Sequence, residues 1–438
     1  MKSKLLFILR WASGLCALLF VVTVALLAAA LHVLRPGPGE WATPLRLGPW
    51  RGELSGPALL RIATNPVVLE HLQGRRWATP VGPITLLAGS APDRWRGVCS
   101  PCALQVDSLG REPLRFGRVE FSWKRDVHMD LVGEFTLARD TANGQALHGQ
   151  WALRNGVQQV DVSIKLNQAP LAQAFALFTE VLPELSKARI SGNVSLDLNW
   201  TWPSRALQVQ PRLEGFHVAG LGTEALLDAL PSCPLPAQPG WGAWLPRAVI
   251  AAEDQRFFEH TGFDLTELAA AFSSDPRPGA PRRGASTLSQ QLAKLIYTGD
   301  SPSHVRKLRE LLYAVELDRS LGKARVLNLY LSLVPWGSGE CGAQAAAARY
   351  LGQSAHELDP LDAAWLASLL RNPDAELAEM ARSGAPNRLR VRWIVEHLRP
   401  LARAKRRALL EPLDDWAPPP QAFEAGAAAQ AIRMARLK

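Results

Sequence analysis

Between Trp11 and Leu34 the chain carries no Asp, Glu, Lys or Arg, while Lys2, Lys4 and Arg10 precede the gap. About 20 apolar residues cross a bilayer as a helix, with the basic flank left on the cytoplasmic side. A cleaved leader has an apolar region of about 7 to 15 residues. This run is longer, although Ala28 to Ala30 would suit a cleavage site. The reading is a retained transmembrane helix within residues 1–35, with the rest of the chain exported. Cysteine is scarce, five in all. No second Cys or His pair follows Cys99 and Cys102 at ligand spacing, which argues against zinc. The Cys99-Ser-Pro-Cys102 run also lacks the strand-helix-strand setting of a redox motif and precedes a strand-like segment. It reads as a structural disulfide in an oxidising compartment, though Cys99, Cys102, Cys233 and Cys341 together allow three pairings. Internal repeats are absent.

What is present is a chain of 438 residues with a formal charge of +9. That length calls for more than one folded unit, and the positive charge suits acidic partners: nucleic acid, anionic headgroups or a phosphorylated substrate. From Pro36 to about Gly215 short alternating runs predict antiparallel strands at Arg118–Trp123, His128–Leu137, Ala146–Leu153, Val160–Leu166 and Ile190–Trp200. One helical stretch, Leu171–Leu185, interrupts them. Pro231 to Pro239 marks a boundary. Beyond Trp244 apolar residues recur every three or four positions, which predicts helices, with breaks at Asp275–Pro281, Gly299–Pro302 and Pro335–Gly342. The expected organisation is a cytoplasmic stub and transmembrane helix (1–35), a β-rich periplasmic module (36–215), a Pro-rich linker (216–243), a mainly helical domain (244–401) and a basic, then Pro- and Ala-rich tail (402–438) that packs loosely or is disordered.

Three segments concentrate chemistry. In Ala248-Val-Ile-Ala-Ala-Glu253-Asp254-Gln-Arg-Phe257-Phe-Glu-His260-Thr-Gly262, an apolar run delivers adjacent carboxylates. A helix would put Glu253, Phe257 and His260 on one face, and apolar surroundings would raise a carboxyl pKa toward that of a general base. In Gly284-Ala-Ser286-Thr287-Leu-Ser-Gln290-Gln291-Leu-Ala-Lys294, Thr287, Gln290, Gln291 and Lys294 form a polar stripe, and Leu288, Leu292 and Leu295 form a separate apolar one. Ser286 or Thr287 would cap that helix. In Arg306-Lys307-Leu-Arg-Glu310, two cations and a carboxylate share a face; alone, this is an ordinary i,i+4 pair.

In order and spacing these segments closely resemble the peptidoglycan glycosyltransferase domain of class A penicillin-binding proteins and monofunctional transglycosylases. The resemblance spans Trp244 to Leu398 and continues through Lys323–Tyr330, Gly339–Gly352 and Leu361–Pro373. It implies a lysozyme-like, mainly α-helical domain that joins lipid II units at the inner membrane, on its periplasmic side, and releases undecaprenyl pyrophosphate. On that reading Glu253 is the base, and Lys294, Arg306 and Lys307 stabilise the pyrophosphate. Glu310 is the second carboxylate, either orienting those cations or helping to hold a divalent ion such as Mg2+. The resemblance requires no cofactor otherwise. Asp254, Phe257, His260, Ser286, Thr287, Gln290 and Gln291 would shape the sugar subsites, and Leu265–Phe272 would dip into the bilayer. The implied partners are lipid II, the growing glycan strand, the membrane and other cell-wall synthesis proteins, with no nucleic acid.

The chain departs from the family where Asn328 stands for Glu, Ser332 for Asn, Gln353 for Lys and Leu295 for Asn. It has no Lys-Thr-Gly after the matching region, so Ser320-Leu-Gly-Lys323 does not mark a transpeptidase. Two rival readings are a glycan-cleaving enzyme, which has no use for three cations beside its carboxylates, and an envelope scaffold with a vestigial transferase domain. The β-rich module loosely resembles AsmA-like envelope proteins through the Gly192–Trp200 run.

Overall fold

The structure, a computed structural model, describes residues 20–25, 28–29, 32–47, 50–91, 93–104, 113–126, 130–139, 146–204, 206–227, 240–266, 286–300 and 304–436. Most of the expected transmembrane run lies outside these residues, as do the Pro231–Pro239 boundary and most of Leu265–Phe272. Among the described residues no helix is long and apolar enough to cross a membrane. Contacts divide the chain into two units. The first is Met1–Leu104, Arg115–Ala169 and Ser195–Pro211; the second is Gln105–Leu114, Pro170–Val194 and Arg212–Lys438.

The first unit contains the hairpin β1 (Ala42–Leu47) and β2 (Trp50–Ser55), then two short helices, α1 (Gly56–Ala63) and α2 (Pro66–Leu72). The hydroxyl of Ser55 caps α1 by accepting from the Ala58 amide at 3.2 Å, and Asn65 caps α2. The strands that follow are β3 (Arg76–Thr79), β4 (Gly82–Ala88), β5 (Trp95–Cys99), β6 (Cys102–Leu104), β7 (Leu114–Phe116), β8 (Arg118–Arg125), β9 (Leu131–Ala138), β10 (Ala146–Asn155), β11 (Val160–Pro170), β12 (Arg189–Trp202) and β13 (Ala206–Ala219). Nine of them form one sheet in the order β13-β12-β11-β10-β9-β8-β5-β4-β3. Alternation sets which side chains share a face. The pairings Gly97↔Phe121, Phe121↔Phe135 and Gly149↔Phe135 put two rings and two glycines in one row. A Cβ at Gly97 or Gly149 would strike the neighbouring ring, which is why residues with poor strand propensity stand mid-strand here. Leu69 of α2, Leu86 and Trp95 form the local core. Cys99 and Cys102 are joined in a disulfide, and Cys341 is disulfide-bonded as well.

The second unit is mainly helical: α3 (Leu171–Ala176), α4 (Leu245–Glu253), α5 (Leu288–Ala293), α6 (His304–Leu333), α7 (Ala343–Leu351), α8 (Pro360–Ser368), α9 (Pro373–Ser383), α10 (Arg388–His397), α11 (Arg403–Leu410) and α12 (Pro420–Arg436). Gly322, at φ 72°, breaks the helical run of α6. One core gathers Phe257, Leu292, Tyr330, Trp336, Tyr350 and Trp365. A second combines Leu171, Phe175 and Leu182 with Phe216 and Val218 of β13 and with Leu312 and Val315 of α6.

Two expectations differ from this arrangement. The contacts do not divide the chain near residue 215, because Pro170–Val194 and Arg212–Ala219 group with the helical unit. Helical periodicity and strand alternation report local faces, and neither reports which distant element a face will meet. The tail does not pack loosely either. Leu413, Ala422, Ala425 and Ala429 lie fully buried in the helical core, and Gly426 lies against the Leu377 backbone. Small side chains let α12 approach α9 closely while giving little hydrophobic signal.

Candidate active site

Helix α4 is apolar on its inner side, with Leu245, Ala248, Val249 and Ala251 buried, and it ends at Glu253. The next residue leaves helical geometry, at φ −157° and ψ 74°. Asp254 turns inward instead, accepting from the Leu288 amide at 2.9 Å and facing His260 Nε2 at 3.0 Å. The helix expected to carry Glu253, Phe257 and His260 on one face therefore stops at the first of them. Its continuation is outbid by a buried carboxylate that ties this loop to the start of α5. Phe257 is fully buried, its ring edge-on to His260 at 6.2 Å between centroids. The Lys323 ammonium sits 4.5 Å from the centre of that ring and pairs with Asp318.

The Glu253 carboxylate is held from both sides. Oε1 accepts from Arg390 Nη2 at 3.1 Å, and Oε2 accepts from Gln291 Nε2 at 3.1 Å. Tyr330 donates to Gln291 Oε1 at 2.8 Å, fixing the amide so that its NH2 faces the carboxylate. The same Arg390 nitrogen donates to the Ala252 carbonyl at 2.9 Å, so the guanidinium is anchored to the end of α4 rather than free to swing. Burial pushes the Glu253 carboxyl above the usual Glu value of 4.5, while Arg390, Gln291 and Arg371 pull against that rise. Tyr330 is pushed well above the ordinary tyrosine value by burial and by the Glu253 charge, so it is a donor throughout the working pH range.

Helix α5 opens on a reciprocal cap. Thr287 Oγ1 accepts from the Gln290 amide at 3.2 Å, and Gln290 Oε1 accepts from the Thr287 amide at 3.0 Å. The Thr287 hydroxyl also donates to the Gly262 carbonyl at 2.6 Å. Thr287 and Gln290 thus spend their polar atoms on the helix start, and Gln291 is the member of the expected stripe that reaches Glu253. Lys294 pairs with Asp300, whose carboxyl is held below its ordinary value by Lys294 and, more weakly, by Arg306.

On α6, Glu310 is fully buried between Arg306 and Lys307, with Lys307 Nζ 2.7 Å from Oε2. Lys307 also donates to the Ser286 hydroxyl at 2.8 Å. The segment Ser286–Gln291 therefore touches both carboxylate centres, Glu253 through Gln291 and the Glu310 cluster through Ser286. Among the described residues no group of three His, Cys, Asp or Glu could hold a metal ion. Glu310 faces a cation on each oxygen, which does not suit a dication. The departing residues bond elsewhere: Ser332 donates to the Asn328 carbonyl at 2.8 Å, and Gln353 donates to Asp362 at 2.7 Å.

Sequence reasoning missed Arg390, Arg371, Tyr330 and Asp300. Tyr330 closes a segment already singled out. Arg390 lies 137 residues from Glu253 among several arginines, and nothing local distinguishes the one that turns inward.

A profile of the family described as Transglycosylase matches residues 240–398. Three similar proteins share the name Biosynthetic peptidoglycan transglycosylase. The one from Azoarcus sp. (strain BH72) is 46% identical over 129 residues, 30% of this chain and 56% of the relative. That from Shewanella amazonensis is 42% identical over 167 residues, 37% of this chain and 65% of the relative. That from Stutzerimonas stutzeri is 40% identical over 170 residues, 37% of this chain and 68% of the relative. The matched part of the chain spans about half the length of the first of these relatives.

Proposed function

Because the chain belongs to the transglycosylase family, we propose that it is a peptidoglycan glycosyltransferase, polymerising lipid II into glycan strands. The observation that carries this reading is the Glu253 carboxylate, buried yet gripped by Arg390 and Gln291, with the Glu310 cation cluster reached through the same short segment, Ser286–Gln291. Glu253 takes the proton from the acceptor sugar's 4-hydroxyl as that oxygen attacks the donor's anomeric carbon. The bond to the pyrophosphate breaks, its electron pair leaves on the phosphate oxygen, and Arg306, Lys307 and Lys294 offset the charge that develops there. Inversion from an α-linked phosphate to a β-1,4 bond needs no covalent intermediate. Glu310 holds Arg306 and Lys307 in place. With a cation already on each oxygen of Glu310, the residues around it do not fit a metal ion.

Attachment to the inner membrane, with the catalytic domain in the periplasm, belongs to the same proposal, as do the lysozyme-like fold and an AsmA-like β-rich part. Phe20, Val21, Val22 and Val24 stand exposed on a helical stretch, and Phe258 is 70% exposed close to the site; both suit a lipid surface. The Cys99–Cys102 disulfide suits an oxidising compartment. Other cell-wall synthesis proteins are the partners this placement offers.

The test is polymer formation from labelled lipid II by the full chain in detergent. We expect glycan polymer, and at least about a 10²-fold loss in Glu253→Gln, the scale of general base catalysis. Cleavage of preformed glycan would support a lytic enzyme instead. If neither polymer nor cleavage is seen, the result would support a scaffold, the reading that Asn328 and Gln353 favour.

A further inference from the structure

Arg309 stands one residue before Glu310 and serves a different partner. Its Nε lies 2.6 Å from Oε1 of Glu184, a carboxylate whose side chain is 5% exposed and whose Oε2 has no hydrogen-bond partner among the described residues. Glu184 belongs to the stretch Leu171–Ala188, which in sequence separates β11 from β12 but by contact belongs to the helical unit. Leu182 of that stretch is fully buried against Leu312 and Val315, with Val305, Leu308 and Leu311 packed around them.

At about 100° per residue, those five α6 residues form the helix face opposite Arg306, Lys307 and Glu310, and Arg309 stands on the border between the two. Phe216, in the same apolar cluster, meets Phe263 at 5.5 Å. Phe263 follows Gly262, the residue whose carbonyl receives the Thr287 hydroxyl. The cluster therefore braces two things at once: the start of α6 and the turn at Gly262 and Phe263 that receives the Thr287 hydroxyl.

We propose that Leu171–Ala188 is a positioning element for the Arg306–Lys307–Glu310 cluster, with Glu184 acting on it through Arg309. The proposal deepens the glycosyltransferase reading and rests on it. The physical reason is that two like charges, Arg306 and Lys307, must be held side by side near a helix start. A buried carboxylate paired with one guanidinium among the described residues fixes the rotation of that helix more firmly than apolar contacts alone, since a slip that parts them leaves a buried charge without that partner. The insertion touches no reacting atom, so its effect should appear in how well the cluster receives the pyrophosphate.

The test uses the full chain in detergent with Glu184→Gln, Arg309→Gln and the double variant. Hydrogen exchange of the amides in 304–316 is followed alongside polymerisation rates over a range of lipid II concentrations. Either single substitution should speed exchange there by about tenfold or more, the scale of one charge-assisted hydrogen bond. Each should also lower kcat/KM, mainly through a higher KM. The double variant should be no worse than either single one, and Arg309→Lys should restore part of the loss. A lowered melting temperature with exchange in 304–316 and KM unchanged would overturn the proposal, as would additive effects in the double variant. A wild-type chain that makes no polymer would overturn the catalytic reading instead, a result separate from the exchange measurement.

Discussion

As the proposed base, Glu253 meets two opposed demands: it must be ionised at working pH yet basic enough to take a proton. Burial raises its pKa above 4.5, and Arg390, Gln291 and Arg371 limit the rise. In the folded state the proton is therefore held more readily than in the unfolded chain. The stability this group contributes is full below the unfolded value and is lost as pH rises through the folded one. Catalysis runs the other way, gaining as the carboxyl ionises. The acidic limb of the pH–kcat/KM profile should accordingly lie above 4.5. In Arg390→Met the limb should move to higher pH, because the largest of the opposing influences is gone. A limb at or below the ordinary glutamate value, or one that stays put in the variant, would remove Glu253 from the role of base. Of these groups only Glu253 and Gln291 were legible beforehand. Their motifs are local, whereas the contribution of Arg390 comes from a turn of α10 that no spacing records.

At the level of elements, α5 depends on its first turn. It is six residues long, too short to persist without its cap and its packing. Thr287 closes the cap with Gln290 and also binds the Gly262 carbonyl. Thr287→Ala should lower stability by about 1 kcal/mol through the cap alone, measured by urea unfolding, and should lower polymerisation further because Gln291 and Ser286 lose their support. Thr287→Ser, which keeps the hydroxyl, should restore most of both. An alanine variant with full activity and unchanged midpoint would show that the cap is dispensable. The capping pattern was readable in sequence as Ser286 or Thr287, and the structure selects Thr287. The helix end at Glu253 was not readable, because the apolar spacing continues to Phe257 and only the distant Leu288 amide and His260 draw Asp254 out of it.

For the whole molecule, the helical core extends beyond the region that carries the family motifs. Leu413, Ala422 and Ala425 are fully buried in it. Removing residues 402–438 should therefore cost about 3 kcal/mol or more, the scale of vacating large buried sites, and should appear as a lower urea midpoint and faster proteolysis of the remaining chain. An unchanged midpoint would mean that the tail is an appendage. By itself the sequence determined that the chain has a β-rich and a helical part, five of the thirteen described strands within a few residues, the family motifs, and the cation pair on Glu310, because each is written in spacing along one element. Only the tertiary structure decided that Leu171–Ala188 belongs with the helices, that the tail is core, and that Arg390 holds the Glu253 carboxylate while Tyr330 holds the Gln291 amide. Those outcomes depend on which faces meet across more than a hundred residues, and the free energy of such a meeting is held by the pair rather than by either segment.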